Sequence, residues 1–342
     1  MATNNLQQVQ KNNVKSTEYW EKRLLEMIKL ESTNFVFSTL GVKKELPQNE
    51  GTTTISMRRY NSLPISSDGT LTKAKLTEGK APEALKVEAQ KVQATINQFG
   101  NYIEITDWVD AIHFDDIKKE YQPELARTAA EIKERNIIES FSEASDYYVG
   151  GHAAVTEMTA GDVLKLKDCR MVALTMKNYN RQGHIKYGNK PVVVVHPNVM
   201  QDLLDDSALL DNILVPGNEN SPMKNGTLEN YKAYGMNFQE TLICPIEKGG
   251  SGSTMNVYHS YMLGKNPYVV VSFKGKGLEW KETAFEASKG DPLGQKATIG
   301  YKMWTGAKVI DPIAITCIYS ASAYDVDVDF SGDSLGRTAS QS

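Results

Sequence analysis

Hydrophobic and polar residues alternate with a period of two along residues 52–60. Ile55 and Met57 face one way and Thr54, Ser56 and Arg58 the other, the pattern of a strand with one covered face. A longer return arm follows. Its apolar positions run Leu85, Val87, Ala89 and then Val92, Ala94, Ile96, so the phase slips by one residue near Gln90 and Lys91, which predicts a β-bulge there. Between the arms, residues 66–69 carry turn chemistry and residues 77–82 form a second break. The return arm continues past Gly100 through Tyr102, Ile103 and Ile105 to Trp108. At about 3.3 Å per residue, the stretch from Leu85 to Asn97 alone reaches ~40 Å. A compact chain of this size has a radius of gyration of only about 20 Å. Residues 51–106 therefore read as a ribbon that projects from its own subunit. A lone two-stranded ribbon is marginal in water and its open edges invite pairing, so neighbouring copies are expected to cover it.

The rest of the chain mixes both periods. Ser16 or Thr17 caps a predicted helix with Trp20, Leu24, Met27 and Ile28 on one face, and residues 30–47 read as an extended crossing segment. A long helix is predicted from Gln122 or Pro123 to about Tyr147. Leu125, Ala129, Ile132, Ile137 or Ile138, Phe141 and Ala144 form its apolar stripe, and Glu131, Lys133, Glu134 and Glu139 its solvent side. Gly150 and Gly151 end it. Thr159 to Asp162 match a capping box ahead of a second amphipathic helix with Val163, Leu166, Ala173 and Leu174. Residues 191–197 hold four consecutive valines between prolines, a fully buried strand, and Pro197 opens a helix with Val199, Met200, Leu203 and Leu204. Further strands are expected at 236–244, 267–273, 295–304 and 307–319, the last broken at Asp311 and Pro312, with mixed polar and turn residues at 280–294.

Composition narrows the class. The chain has 342 residues, 40% hydrophobic and 23% charged, enough for one large domain or several smaller ones. No apolar run approaches the ~18 residues that span a bilayer. The first residues lack a signal-peptide pattern, so synthesis is expected to end in the cytosol. Cys169, Cys244 and Cys317 are odd in number and far apart, which suits buried reduced thiols. Net charge is −4 with Lys and Arg dispersed, which argues against a dedicated nucleic-acid-binding face but not against a shell that encloses nucleic acid.

Candidate chemistry is sparse. The sequence holds no phosphate-loop, zinc-protease, nucleophile-elbow or C-x-x-C motif. His196 with Asp202 downstream, and Cys169 with His184, lack the spacing of a catalytic set. Asp325, Asp327 and Asp329 alternate like a calcium loop, but Phe330 and Gly336 occupy its defining glycine and glutamate positions. Arg58, Arg59, Lys73, Lys75 and Lys80 form the one notable basic cluster. On a projecting ribbon, acidic surfaces of adjacent subunits are its expected partners, with nucleic acid second.

The order of elements, an N-terminal helical arm, a long bent hairpin, a long helix, an α/β unit and a returning strand, resembles the major capsid proteins of tailed phages. These have the Hong Kong 97 type of fold, shared with herpesvirus shells. In detail it resembles more nearly still the coliphage N4 family of major capsid proteins. Tyr19, Trp20 and Arg23 carry the likeness, as do Gly51 to Thr54 with Arg58, Arg59 and Tyr60, residues 76–79 with Pro82, residues 98–107, residues 192–197, and Ile299, Gly300 and Tyr301 through Ala321.

The resemblance implies an α+β fold with an N-terminal arm and short helix (1–50) and an extended hairpin loop (51–106) lying over a neighbouring subunit. A peripheral domain with a spine helix (107–154 and 290–324), an α/β axial domain (155–289) and a flexible tail (325–342) complete it. It implies hexamers and pentamers closing an icosahedral shell around double-stranded DNA held without sequence-specific binding, with no enzymatic activity, cofactor or metal. Ile55, Met57, Arg58, Arg59, Lys73, Lys75, Lys80, Val92 and Ile96 would make the inter-subunit contacts. It further implies a portal, possible decoration proteins, no membrane partner, and assembly in the host cytoplasm into the virion capsid. With about fifty residues ahead of the hairpin, a separate scaffolding protein is expected. A cargo-enclosing nanocompartment of the same fold, and a small-molecule enzyme that dimerises through the hairpin, are the alternatives.

Overall fold

A computed structural model describes residues 35–48, 51–60, 63, 66–67, 69–76, 78–79, 83–87, 89–112, 117–180, 191–206, 232–233, 236–250, 255–287 and 291–324. The expected N-terminal helix, Lys80, His184 and the tail with Asp325, Asp327 and Asp329 lie outside the described residues.

The chain opens with α1 (Phe37–Leu40), β1 (Val42–Leu46), β2 (Thr54–Tyr60), α2 (Leu71–Ala74), β3 (Ala89–Thr95) and β4 (Asn97–Thr106). It continues through α3 (Asp107–Ile112), α4 (Ile117–Glu139), β5 (Ser145–Tyr148), α5 (Leu166–Asn180), β6 (Val192–Val195) and α6 (Pro197–Asp205). The remaining strands are β7 (Lys232–Ala233), β8 (Met236–Glu240), β9 (Ile246–Gly249), β10 (Met255–Leu263), β11 (Tyr268–Phe273), β12 (Leu278–Thr283), β13 (Lys296–Val309) and β14 (Ile315–Ser320).

Two mixed sheets and one ribbon hold these strands. The first sheet runs β1-β11-β13-β12, with β4 also paired along β13. The second runs β5-β14-β10-β6-β8-β7, with β9 also on β10. Strands β2 and β3 form the separate antiparallel ribbon. β6 is buried on both faces, as its valine run predicts: Val193 and Val195 join one core cluster and Val194 another. On the first side, Leu166, Cys169, Val172 and Met176 of α5 and Val199 and Leu203 of α6 cover the second sheet. On the other, Tyr261, Ile315 and Cys317 meet Ile137 and Phe141 at the end of α4 and Tyr268 and Val270 of the first sheet. The rings of Phe37, Phe141, Tyr261 and Tyr268 interlock there, with centroids 5.0 to 5.7 Å apart. Farther along α4, Leu125, Ala126 and Ala129 pack on Ile105, Trp280, Ile299, Tyr301 and Met303.

Several expectations are corrected. The long helix starts at Ile117, with Pro123 inside it, and ends at Glu139. Proline removes one helical hydrogen bond in the second turn, which a helix docked on a sheet tolerates. Ser140–Glu143 then form a 3₁₀ turn, with the Ser140 hydroxyl donating to the Ile137 carbonyl at 2.6 Å. Residues expected to continue the helix instead make β5, which pairs in parallel with β14.

Glu134, expected in solvent, is fully buried and accepts hydrogen bonds from Phe37 N at 2.8 Å and Ser38 N at 2.7 Å. The Thr159 to Asp162 box does not open a helix: Asp162 accepts from Thr159 N and Oγ1, Val163 bridges to Ala321, and α5 starts at Leu166. Leu174, placed on the apolar stripe, is exposed. The 280–294 stretch begins inside a strand, β12, whose Trp280 is buried. The break at Asp311 and Pro312 is present as a 3₁₀ turn, Pro312–Ala314, with Asp311 Oδ1 accepting from Ile313 N at 3.1 Å.

The bulge near Gln90 is also absent. Ribbon pairing is continuous from Thr54 opposite Thr95 to Tyr60 opposite Ala89. The phase slips later: Ala94 and Ile96 are buried, Asn97 and Gln98 are both exposed, and the covered positions then fall on Phe99, Ile103 and Ile105. That slip lies where the strand leaves β2 and joins β13, so a change of partner accounts for it.

Candidate subunit-interaction surface

The ribbon leaves the body along β1, β11 and β13. Ile55, Met57, Ala94 and Ile96 pack against Leu46, Val269, Val271, Trp304 and Ile310. Ala94 and Ile96 are buried, while Ile55, Met57 and Val92 are half-buried. Part of the apolar face expected to await a neighbour is thus covered by the chain itself. Gly306 permits the close approach: a Cβ there would stand 2.0 Å from the Thr95 carbonyl oxygen.

Arg59 is engaged within its own chain. Its Nη1 lies 3.2 Å from Asp311 Oδ1 and donates to the Ile310 carbonyl at 3.3 Å, and the two side chains are 17% and 2% exposed. Arg59, expected among the contacts to a neighbouring subunit, is thus bound within its own chain to a buried carboxylate at the ribbon base.

Beyond this base most described residues of the ribbon are exposed. Tyr60, Leu63, Leu71, Leu76 and Val87 are 55 to 79% exposed, unusual for so many large apolar side chains in one segment. Arg58, Lys73 and Lys75 are exposed beside them. Lys73 stands 3.9 Å from Glu83, which also accepts from the Ser67 hydroxyl at 2.7 Å. Among the expected contact residues, Arg58, Lys73 and Lys75 point outward and Arg59, Val92 and Ile96 face their own body to differing degrees.

Reactive groups elsewhere have structural partners. All three cysteines are buried and unbridged, and burial pushes the Cys169 and Cys317 thiols up to about 12. His196 caps α6, its Nδ1 accepting from Asn198 N at 3.3 Å, whereas Asp202 Oδ1 accepts from Ala323 N at 3.1 Å, so the two serve different elements. A pair not foreseen joins His152 Nε2 to Asp162 Oδ2 at 3.0 Å. The Thr159 hydroxyl donates to the same carboxylate oxygen, so no nucleophile is presented to the imidazole. Among the described residues no group of three His, Cys, Asp or Glu is arranged to hold a metal ion, and no helix is long and apolar enough to cross a membrane. A groove of about 340 Å³ opens on β4, β12 and β13, lined by Phe99, Tyr102, Lys281 and Tyr301, with no histidine, cysteine or carboxylate in its lining.

No protein-family model and no curated protein sequence matches the chain. Solved structures do. The capsid of Ralstonia phage GP4 superposes with a TM-score of 0.61 at 12% identity, over 84% of this chain and 88% of that one. The capsid of cyanophage Pam1 gives 0.63 at 12%, over 83% and 89%. The acid-stable capsid of Helicobacter pylori bacteriophage KHP30 gives 0.61 at 10%, over 84% and 91%. The fold is that of phage capsid proteins. The match takes in most of both chains, so the likeness is to a whole architecture rather than to a common small motif.

Proposed function

We propose that this chain is the major capsid protein of a tailed bacteriophage and that its copies assemble into an icosahedral shell enclosing double-stranded DNA. The observation that carries the reading is the near full-length likeness to several phage capsid structures. The half-covered ribbon supports a subunit that meets other copies, and the capsid likeness supports a structural, non-enzymatic role. In this reading the fold is of the Hong Kong 97 type and of the N4 kind. Residues 51–106 are the extended loop, 107–154 and 290–324 the peripheral domain with α4 as spine, and 155–289 the axial domain.

Hexamers and pentamers form by heterologous contacts that close into rings. Arg58, Lys73, Lys75 and Lys80 contact adjacent copies, with the half-buried faces of Ile55, Met57 and Val92 completed by a neighbour. Assembly takes place in the host cytoplasm with a separate scaffolding protein and a portal, decoration proteins can bind outside, and DNA is enclosed without sequence-specific contacts.

Expression of the full chain, alone and with the scaffolding protein from the same genome, followed by sedimentation and negative-stain imaging, tests this. Rings or closed shells are the expected result. A stable dimer that titrates with a small molecule would overturn it in favour of an enzyme, and particles filled with a cargo enzyme and free of DNA in the native host would favour a nanocompartment.

A further inference from the structure

His259 lies on β10 two residues before Tyr261, so it shares the face of the second sheet that carries the core of Phe37, Phe141 and Tyr268. It stands at the margin of that core. Its cross-strand partner on β14 is Tyr319, whose ring meets the imidazole edge-on with centroids 4.7 Å apart, and Tyr148 of β5 stacks on Tyr319 in turn. On the other edge of β10, β9 brings Glu247 Oε2 to 3.5 Å from His259 Nε2. That nitrogen is buried and has no hydrogen-bond partner, and the side chain is 15% exposed.

The ionisable groups facing the ring come from three strands: Glu247 of β9, Asp146 of β5 and Tyr319 of β14, with Tyr148 and Cys317 adjoining Tyr319. Strand β6, also paired with β10, is all valine and brings none. Asp146 already accepts from the Tyr319 hydroxyl at 3.3 Å, and Glu247 is 55% exposed, so water screens its attraction. A charged imidazole in this place would therefore be enclosed without an acceptor in bonding geometry. Burial is the largest influence on the ring and holds its pKa below the ordinary histidine value, against the pull of Glu247 and Asp146.

Strand β9 is the part of this enclosure that can give way. It has four residues, pairs with β10 alone, and leaves Ile246, Glu247 and Lys248 exposed. Its far end is held by Gly250 N donating to the Val155 carbonyl at 3.1 Å. Short, solvated edge elements open at the least cost.

We propose that β9 is a proton-operated flap, closed on β10 while His259 is neutral and lifted when the imidazole is protonated and drawn to water. Lifting uncovers Val257, fully buried when the flap is closed, and frees the edge of β10 at residues 255–258 for other pairing. The closed state binds the proton less tightly than the open one, so its stability is complete above the ordinary histidine range and is lost as pH falls from about 6.5. The device is independent of the capsid reading.

Hydrogen–deuterium exchange of the full chain at about pH 7.5 and about pH 5, with labelling times scaled for intrinsic exchange, tests it. Peptides covering 246–249 and 255–259 should lose about tenfold or more in protection on acidification, the factor that one pKa unit represents. Peptides of α5 and α6 should keep theirs, which separates flap opening from global unfolding. In His259→Gln, neutral at both pH values, the loss should shrink to about twofold or less. Glu247→Gln, at an exposed position and so a second reading should His259→Gln not fold, removes the attraction that opposes opening and should deepen the loss. Protection that rises on acidification, or that changes equally in wild type and His259→Gln, or that Glu247→Gln leaves unaltered, would overturn the proposal.

Discussion

Glu134 shows how a single residue can defy its neighbourhood in the chain. Flanked by Lys133 and Arg135, it reads as part of a solvated helix face, yet it is buried and bonded to backbone amides 96 and 97 residues earlier. It acts as a remote cap, satisfying the first N–H groups of α1 that no residue in the Phe37–Leu40 segment satisfies. Glu134→Ala leaves those amides without an acceptor and should destabilise the subunit by about 2–4 kcal/mol in urea unfolding. Burial, the largest influence on this carboxyl, raises its pKa despite the amide hydrogen bonds. The folded state then holds its proton more tightly than the unfolded chain does, so this group makes stability fall as pH rises from the ordinary carboxylate range through its raised pKa. Glu134→Gln should flatten that part of the pH–stability curve, and an unchanged slope would show that the group titrates normally. Arg59 carries the second prediction. Because its partner Asp311 is almost wholly buried, Arg59→Ala should cost the isolated subunit about 2–3 kcal/mol by leaving a buried carboxylate short of its counter-charge. Thermal melting of the monomer reads this before any question of assembly arises.

At the scale of elements, periodicity located strands and helices well and their ends poorly. The valine strand β6 and the helix that Pro197 opens are where the pattern puts them, because four β-branched residues and a proline with fixed φ leave few alternatives. The long helix lost its last turns to β5, since pairing with β14 offered those residues backbone partners that local propensity does not reveal. The ribbon's phase slip was visible as a slip but misplaced, because an alternating pattern records that the covered face changes and not which strand causes the change. Gly306 carries a prediction here. A methyl group at this position meets the Thr95 backbone rather than a movable side chain, so Gly306→Ala should push the ribbon strand off β13 and cost about 1–3 kcal/mol, measured by thermal unfolding.

Across the whole molecule, the covered and uncovered parts divide sharply. The body has continuous apolar clusters joining α4, α5, α6 and both sheets, and none of the described residues between Tyr60 and Ala89 belongs to them. Replacing residues 61–88 with a two-residue Asn-Gly turn, which suits the antiparallel register ending at Tyr60 opposite Ala89, should leave the melting temperature of the monomer within a few degrees of the parent. It should abolish assembly in analytical ultracentrifugation. Loss of folding on excision would mean that the tip stabilises its own subunit, contrary to its exposure.

The amino-acid sequence by itself determined the element types, the buried valine strand, the inert cysteines, the lack of a recognisable reactive motif and the existence of a ribbon with basic residues at its tip. These follow from local periodicity, turn chemistry and composition, which act over a few residues and need no partner. Only the tertiary structure decided that the ribbon base is clamped to its own body through Arg59, that Glu134 is buried, that His259 is enclosed beside β9 and Tyr319, and where strands end. Each of those depends on contacts between residues tens to hundreds of positions apart, whose pairing emerges only when the chain has closed on itself.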